Sequence, residues 1–404
     1  MEFEALQLEL EARSRFLDAS CANDANMRAE IEALLLADSH ATPEHPESQR
    51  QSQPRTCNQA VAAGETIGQR YLLIRELGEG GMGQVWLGEQ TTPVQRPVAL
   101  KFIKAGMYDA AVVQRFASER RSLAIMDHPS IAKVFDAGVT TQGQPYFIME
   151  YVPGLSITAY CDQRRASIRH CLEILIQACE GVQHAHQKAV IHRDLKPANI
   201  LVVDVDGKPK PKIIDFGLAR IVTAQGIDDP RQKQFAQFFG TPGYISPEQV
   251  DPDIQDVDTR ADVYCLGVIL YVLLTGTLPF ESASGEKLPY DELVRRLRHE
   301  DVAPPSAKLV SDQAHAEEIA AMRRTNLKTL MRELRRDLDW IAIRALQRNR
   351  ELRYATPSEF AADLRRYLSE EPVRARPPGM TYQIAKFLRR HTHGLGRYYG
   401  MNAP

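Results

Sequence analysis

No two cysteines of the chain stand in a CxxC spacing, and the six present, at positions 21, 57, 161, 171, 179 and 265, form no regular framework. That excludes a disulfide-stapled scaffold and the common structural zinc modules, so reduced thiols are expected. Long apolar runs are missing too: the longest extends from Val263 to Leu274, well short of the ~20 residues that a membrane-spanning helix needs. Neither sign of charge dominates. With 50 Lys and Arg against 52 Asp and Glu the net charge is −2, which gives no whole-protein attraction to nucleic acid or to an anionic membrane. The opening MEFEALQLELE is acidic and lacks the basic and apolar regions of a secretory signal. A soluble, cytoplasmic protein is expected. The composition, 44% apolar and 25% charged over 404 residues, supplies a sizeable core and allows one large domain with extensions.

The most informative stretch is Val190 to Gly217, VIHRDLKPANILVVDVDGKPKPKIIDFG. Ile200 to Val203 and Lys212 to Ile214 are β-rich, and the Asp206-Gly207 pair between them favours the positive φ of a hairpin turn. The hairpin brings Asp194, Asn199 and Asp215 onto one rim. A carboxylate to take a hydroxyl proton, with an amide and a second carboxylate to hold Mg²⁺, is what phosphoryl transfer requires.

Upstream, a strand from Tyr71 to Leu77 runs into Gly78-Glu79-Gly80-Gly81-Met82-Gly83-Gln84-Val85, a GxGxxGxV pattern. A dinucleotide-binding fold would open a helix after such glycines, whereas here the β-type residues Val85, Trp86 and Leu87 follow. A glycine-rich hairpin lets backbone amides approach nucleotide phosphates unobstructed. Next come Val98-Ala99-Leu100-Lys101 and a helix expected from about Asp109 to Met126, which carries Glu119 as the natural partner of Lys101. Ile131 to Gly138 and Pro145 to Tyr151 read as two further strands of a small antiparallel sheet.

These motifs, in this order, resemble those of bacterial eukaryotic-like serine/threonine protein kinases, a family in which the kinase part belongs to larger membrane-anchored, repeat-containing chains. The resemblance runs from about Tyr71 to Leu368 and is strongest at HRDLKPAN and DFG. It implies an α+β, two-lobed kinase fold, with a small antiparallel N-lobe sheet plus one helix and a larger, mainly helical C-lobe. ATP would lie in the cleft with Mg²⁺, for which Mn²⁺ can substitute. Asp194 would orient the acceptor hydroxyl, Lys196 would screen charge, Asn199 and Asp215 would hold the metal, and Lys101 with Glu119 would position the phosphates. Gly78, Gly80 and Gly83 would cover the phosphates, Val85, Ala99 and Leu201 would sandwich the adenine behind which Met149 stands, and the Glu150 to Val152 hinge would bond it through the backbone. The resemblance also implies a Glu248–Arg353 bridge, an Asp262 anchor for the catalytic loop, and His192 packed on Phe216. Lys196 and Thr241 are serine/threonine-class traits, so the partners expected are ATP and proteins with Ser or Thr acceptors.

The expected organisation is an N-terminal helical segment over 1–38, a polar linker over 39–66, the kinase domain over 67–369 with its lobes divided near 151, and a basic tail over 370–404. Met27, Ile31, Leu34 and Leu35 give the first segment a helical stripe. The linker carries Pro43, Pro46 and Pro54 among Gln and Ser. From Pro372 onward there are six Lys or Arg and no Asp or Glu, and a solvated end is favoured over contact with anionic lipid. Residues 306–332 lie outside the motifs and have helical composition. A helix is expected over Ile168 to Lys188; its His184 and His186, at i and i+2, point apart and are not read as metal ligands. Thr356-Pro357-Ser358-Glu359 reads as a capping box.

One departure concerns regulation. Arg193 precedes the catalytic aspartate, where the family often has an arginine waiting for a loop phosphate, yet residues 224–240 contain no Ser, Thr or Tyr. Activity independent of mid-loop phosphorylation is expected, with Asp228 or Asp229 supplying charge or Thr223 serving instead. The rival to the enzyme reading is a nucleotide-binding scaffold; the intact Lys101, Asp194, Asn199 and Asp215 disfavour it.

Overall fold

The computed structural model describes residues 61–80, 83–104, 126–216, 242–251, 254, 256–281, 288–377 and 386. The expectations for the N-terminal helices, the 109–126 helix with Glu119, the 217–241 segment with Thr223 and Thr241, and most of the basic tail lie outside those residues.

Six antiparallel strands form the first sheet: β1 (Thr66–Ile67), β2 (Tyr71–Gly80), β3 (Gly83–Gln90), β4 (Arg96–Ile103), β5 (Val134–Val139) and β6 (Pro145–Glu150), in the order β1-β2-β3-β4-β6-β5. The period-2 alternation of β4 decides which residues face the cleft. Val98, Leu100 and Phe102 pack with Leu73 and Ile148 on one side, while Ala99 and Ile103 join Phe147 and Met149 on the other. Lys101 therefore emerges on the Ala99 face.

A second sheet, β7 (Leu155–Ser156), β8 (Ile200–Val205) and β9 (Lys208–Ile213), lies in the helical half. Asp206 and Gly207 both have positive φ, 51° and 72°, the backbone of the expected hairpin turn. Ile131, read from sequence as the start of a strand, instead makes a parallel bridge to Ile213, and the chain enters the first sheet only at Val134. Its partners at that point are on β9: Ala132 N–H donates to the Ile213 carbonyl and Ile213 N–H to that of Ser130.

The helices follow as α1 (Ile157–Gln163), α2 (Ile168–Gln187), α3 (Pro247–Val250), α4 (Arg260–Thr275), α5 (Tyr290–His299), α6 (Pro305–Val310), α7 (Gln313–Met322), α8 (Leu327–Glu333), α9 (Asp339–Ala345) and α10 (Pro357–Leu368). Ser167 caps α2 through the His170 N–H, and α10 is capped by Thr356 through the Glu359 N–H. The Glu359 carboxylate takes the Ala355 N–H, one residue outside a regular capping box. Helix α4 is buried nearly all round, as expected of a helix without a polar face, and each of its buried Leu, Ile and Val side chains contributes about 1.5–3 kcal/mol. A Cβ at Gly267 would stand 2.7 Å from that of Ala345, so glycine permits the close crossing of α4 and α9. The 306–332 segment is helical, as its composition predicts.

Two boundaries differ from expectation. Gly64 N–H and Leu73 N–H already exchange bonds with Leu73 and Glu65 carbonyls, so the sheet reaches into the segment read as linker. The edge backbone there has ladder partners within reach, which overrides its polar composition. At the other end Val373 is buried, and Arg374 and Ala375 donate their N–H groups to the Asp363 carboxylate. Lys386, expected on a solvated tail, is only 3% exposed and pairs with Asp337 at 2.8 Å and Glu370 at 3.1 Å. Asp337 sits in a π turn, Leu334–Leu338, and is itself 1% exposed; a buried carboxylate draws in a cation. Among the described residues no helix is long and apolar enough to cross a membrane.

Candidate active site

Between the two sheets lies a cavity of about 840 Å³, within the range of small-molecule sites. Its roof is the β2–β3 hairpin. A Cβ at Gly83 would come within 1.8 Å of the Phe102 carbonyl oxygen, so this position admits only glycine, at φ 143°. Gly78 and Gly80 differ: a Cβ there would meet nothing within 4 Å, although both line the cavity. Among the described residues, no packing demands glycine at these two positions. Such room beside the cavity is what close approach of a bulky anion would require.

Val85, Ala99, Met149 and Leu201 provide apolar walls, and Glu150 and Val152 form the rear edge. Deeper in, Lys101 is 5% exposed and donates to Asp215 Oδ2 at 2.8 Å. The expected partner, Glu119, lies outside the described residues; among these, Asp215 is the carboxylate that neutralises the lysine. Asp215 has φ 65°, an uncommon backbone for a non-glycine residue and one that recurs at functional sites.

On the floor, Lys196 Nζ donates to both Asp194 carboxylate oxygens, at 2.9 and 3.2 Å. Asn199 Nδ2 donates to the Asp194 carbonyl at 2.7 Å, which fixes the loop between them. This leaves the amide oxygen of Asn199 and the second carboxylate oxygen of Asp215 without a hydrogen-bond partner among the described residues. Both residues line the cavity. A small set of hard oxygens completed by substrate phosphates and water fits Mg²⁺, which seldom relies on an all-protein cage. No cluster of three or more His, Cys, Asp or Glu that could hold a metal occurs among the described residues.

The loop is held from below by Asp262, fully buried on α4. Its carboxylate accepts the His192 N–H at 2.9 Å and the Arg193 N–H at 3.0 Å, and contacts His186 Nε2 at 2.7 Å. Burial pushes the Asp262 carboxyl up, but the His186 hydrogen bond and charge and the backbone donors outweigh it, and the net displacement is below the ordinary carboxylate range. His192 packs on Phe216 with ring centroids 4.7 Å apart and the planes tilted by 57°, and contacts the Ile214 carbonyl through Nε2, a spacer between the two rim segments. The Glu248–Arg353 bridge is present, with two contacts of 2.7 Å.

Sequence reasoning thus places Lys101, Asp194, Lys196, Asn199, Asp215, the glycines and the apolar walls around one cavity. It misses three supports. His186, weighed only as a metal ligand, orients Asp262. Gln249 donates to the Arg193 carbonyl at 2.7 Å. Lys212 pairs with Glu150 at 2.9 Å. Only their long-range partners mark these residues as special; no local pattern does.

Residues 71–354 match the family described as Protein kinase domain. Among curated proteins, the chain is 35% identical over 314 residues to serine/threonine-protein kinase PknB of Mycobacterium tuberculosis, covering 76% of this chain and 44% of that one. It is 35% identical over 323 residues to serine/threonine-protein kinase Pkn1 of Myxococcus xanthus, covering 78% and 41%. The chain therefore spans less than half the length of the curated relatives it matches. Among solved structures, the PknI kinase domain of Mycobacterium tuberculosis superposes with a TM-score of 0.52 at 26% identity, covering 76% of this chain and 100% of that one. With the cleft and its rim residues falling inside the matched span, the chain belongs to the protein kinase domain family.

Proposed function

We propose that this chain is an ATP-dependent serine/threonine protein kinase of the cytoplasm that transfers the γ-phosphoryl group of ATP to protein hydroxyls. The observation that carries the reading is the Asp194 carboxylate. It is held by the Lys196 ammonium and, through its own carbonyl, by Asn199, on the floor of the cavity that the Lys101–Asp215 pair also lines.

ATP is read with its adenine between Val85 and Ala99 above and Leu201 below, bonded by the hinge backbone from Glu150 to Val152. Lys101 meets the phosphates beneath Gly78, Gly80 and Gly83, and Glu119 is assigned as its second partner. Asp194 receives the acceptor hydroxyl's hydrogen bond, aligns its oxygen with the γ-phosphorus, and takes the proton as the new oxygen–phosphorus bond forms and the bond from the γ-phosphorus to the β–γ bridging oxygen breaks, that oxygen leaving with ADP. Lys196, already beside that carboxylate, lies where charge develops on the transferred group. Asn199 and Asp215 would hold Mg²⁺, which when bound neutralises charge on the β- and γ-phosphate oxygens. No covalent enzyme intermediate is needed; positioning and fixed charge supply the catalysis. Autophosphorylation of the N-terminal linker at Thr42, Ser48, Ser52 or Thr56 belongs to the same reading, as does a role in bacterial signalling.

The test is transfer of labelled γ-phosphate from ATP–Mg²⁺ to the protein itself and to a generic basic protein, beside Asp194→Ala. Transfer is expected to fall by about 10²–10⁴-fold in the variant, the range of a lost general base. Transfer that survives the substitution would refute the assignment, and nucleotide binding without any transfer by the unaltered chain would favour a scaffold.

A further inference from the structure

The Glu150 carboxylate lies at the junction of the two lobes and is engaged from both. From the first sheet's side, Glu150 Oε2 accepts the Lys133 N–H at 3.1 Å, and Glu150 N–H donates to the Lys133 carbonyl at 2.8 Å. From the second sheet, Lys212 Nζ lies 2.9 and 3.0 Å from the two carboxylate oxygens. The Lys133 ammonium, the other cation near this carboxylate, is taken by Asp127 at 2.9 Å. Lys212 and Glu150 side chains are 18% and 29% exposed, a half-buried pair that solvent screens only in part.

Lys212 stands on β9, three residues before Asp215, and the residue after it, Ile213, is bonded through its backbone to Ser130 and Ala132. Among the described residues, strand β9 is therefore joined to the first lobe by two backbone bonds and one ion pair. Of these, only the ion pair is written in side chains, and it ends on the residue that begins the hinge. One end, Glu150, lines the rear edge of the cavity, and the other, Lys212, stands three residues before Asp215, which lines its interior.

We infer that the Glu150–Lys212 pair is an interlobe clamp, with Lys212 a positioning residue that holds Asp215 in register with the hinge and so sets nucleotide affinity. The inference rests on reading the cavity as a nucleotide site. Lys212 touches neither the acceptor hydroxyl nor the Asp194 loop, so its effect falls on holding the nucleotide and not on proton transfer.

The experiment is a double-mutant cycle of Lys212→Met, Glu150→Gln and both together, read as the Kd for ADP and as kcat and KM for ATP. Glutamine at 150 keeps an acceptor for the Lys133 N–H and removes the charge that Lys212 needs. Lys212→Met is expected to weaken ADP binding and to raise KM by about three- to tenfold, the reach of one partly buried ion pair, with kcat not reduced. The double variant is expected to be no worse than the weaker-binding single variant, and Lys212→Arg to restore binding. Effects that multiply, a Kd within twofold of the parent, or a fall confined to kcat would each overturn the clamp. Should Lys212→Met fold poorly, Glu150→Gln compared with Lys212→Arg reads the same coupling with both side chains polar. Because ADP affinity is measured without turnover, a chain that binds nucleotide but transfers nothing would refute the kinase reading while still testing the clamp.

Discussion

Replacing Arg353 by methionine removes the cation from a fully enclosed pair. The Arg353 side chain is 0% exposed and that of Glu248 3%. All five guanidinium N–H groups are engaged. Two meet the Glu248 carboxylate at 2.7 Å each, Nε meets the Gln347 carbonyl at 2.7 Å, and the remaining two reach the Arg260 and Arg348 carbonyls at 3.1 Å. The Tyr264 ring adds a cation–π contact at 4.9 Å. Such a pair gains little over a well-packed apolar one, because desolvation offsets its attraction, but breaking it strands a buried charge at about 3–5 kcal/mol. For a domain of this size that is a fall in Tm of roughly 5–15 °C. Removing both charges, as Glu248→Gln with Arg353→Met, is expected to recover part of the loss. It will not recover all of it, since three carbonyls stay without their donor at about 1 kcal/mol or more each.

The assay is thermal and denaturant unfolding of the parent, both single variants and the double. The reasoning fails if Arg353→Met shifts Tm by less than about 2 °C, or if the double variant is worse than the sum of the singles. A second readout follows from position. Glu248 neighbours Gln249, whose amide holds the Arg193 carbonyl beside Asp194. Arg353→Met is therefore expected to lower phosphotransfer well below its melting range, whereas a purely global loss of stability would leave activity unchanged until unfolding begins.

Asp262→Asn should uncouple the catalytic loop and alter the acid limb of stability. The folded Asp262 carboxyl lies below its ordinary value of 3.8, so its contribution is complete above that value and is lost as pH falls further through the folded pKa. Unfolding free energy of the variant should depend less steeply on pH below 3.8 than that of the parent, and an unchanged slope would count against the anchor. Lys386→Met leaves Asp337, 1% exposed, with Arg376 at 4.0 Å and its remaining contacts. A loss of about 1–3 kcal/mol in denaturant unfolding is expected, and none would mean that the segment does not hold its place in solution. Gly83→Ala should cost far more than Gly80→Ala in the same assay, because the first would drive a Cβ into the Phe102 carbonyl and the second meets nothing within 4 Å among the described residues; equal costs would refute the distinction drawn between the two glycines.

How much of this was legible in the sequence depends on how locally each feature is encoded. The hairpin at Asp206-Gly207 is a two-residue backbone preference, and the strand β4 is an alternation that already assigns Lys101 to the Ala99 face. The rim residues Asp194, Asn199 and Asp215 lie close along the chain, so one hairpin suffices to assemble them. Other features have no local signature. Lys212 on a strand and Lys386 in a basic stretch look like solvated cations until Glu150 and Asp337 are brought to them, from 62 and 49 positions away. In Lys386 the composition argument inverted: a run without acidic residues reads as a free tail, yet a buried carboxylate in a π turn of the helical lobe takes up its one lysine and excludes water from it. His186 was judged by its neighbour His184, when its chemistry is set by Asp262 on another helix. Local backbone preferences and motif spacing thus place the groups that line the cavity. The groups that hold those in place are chosen by long-range charge pairing, and that choice appears only once the chain has folded.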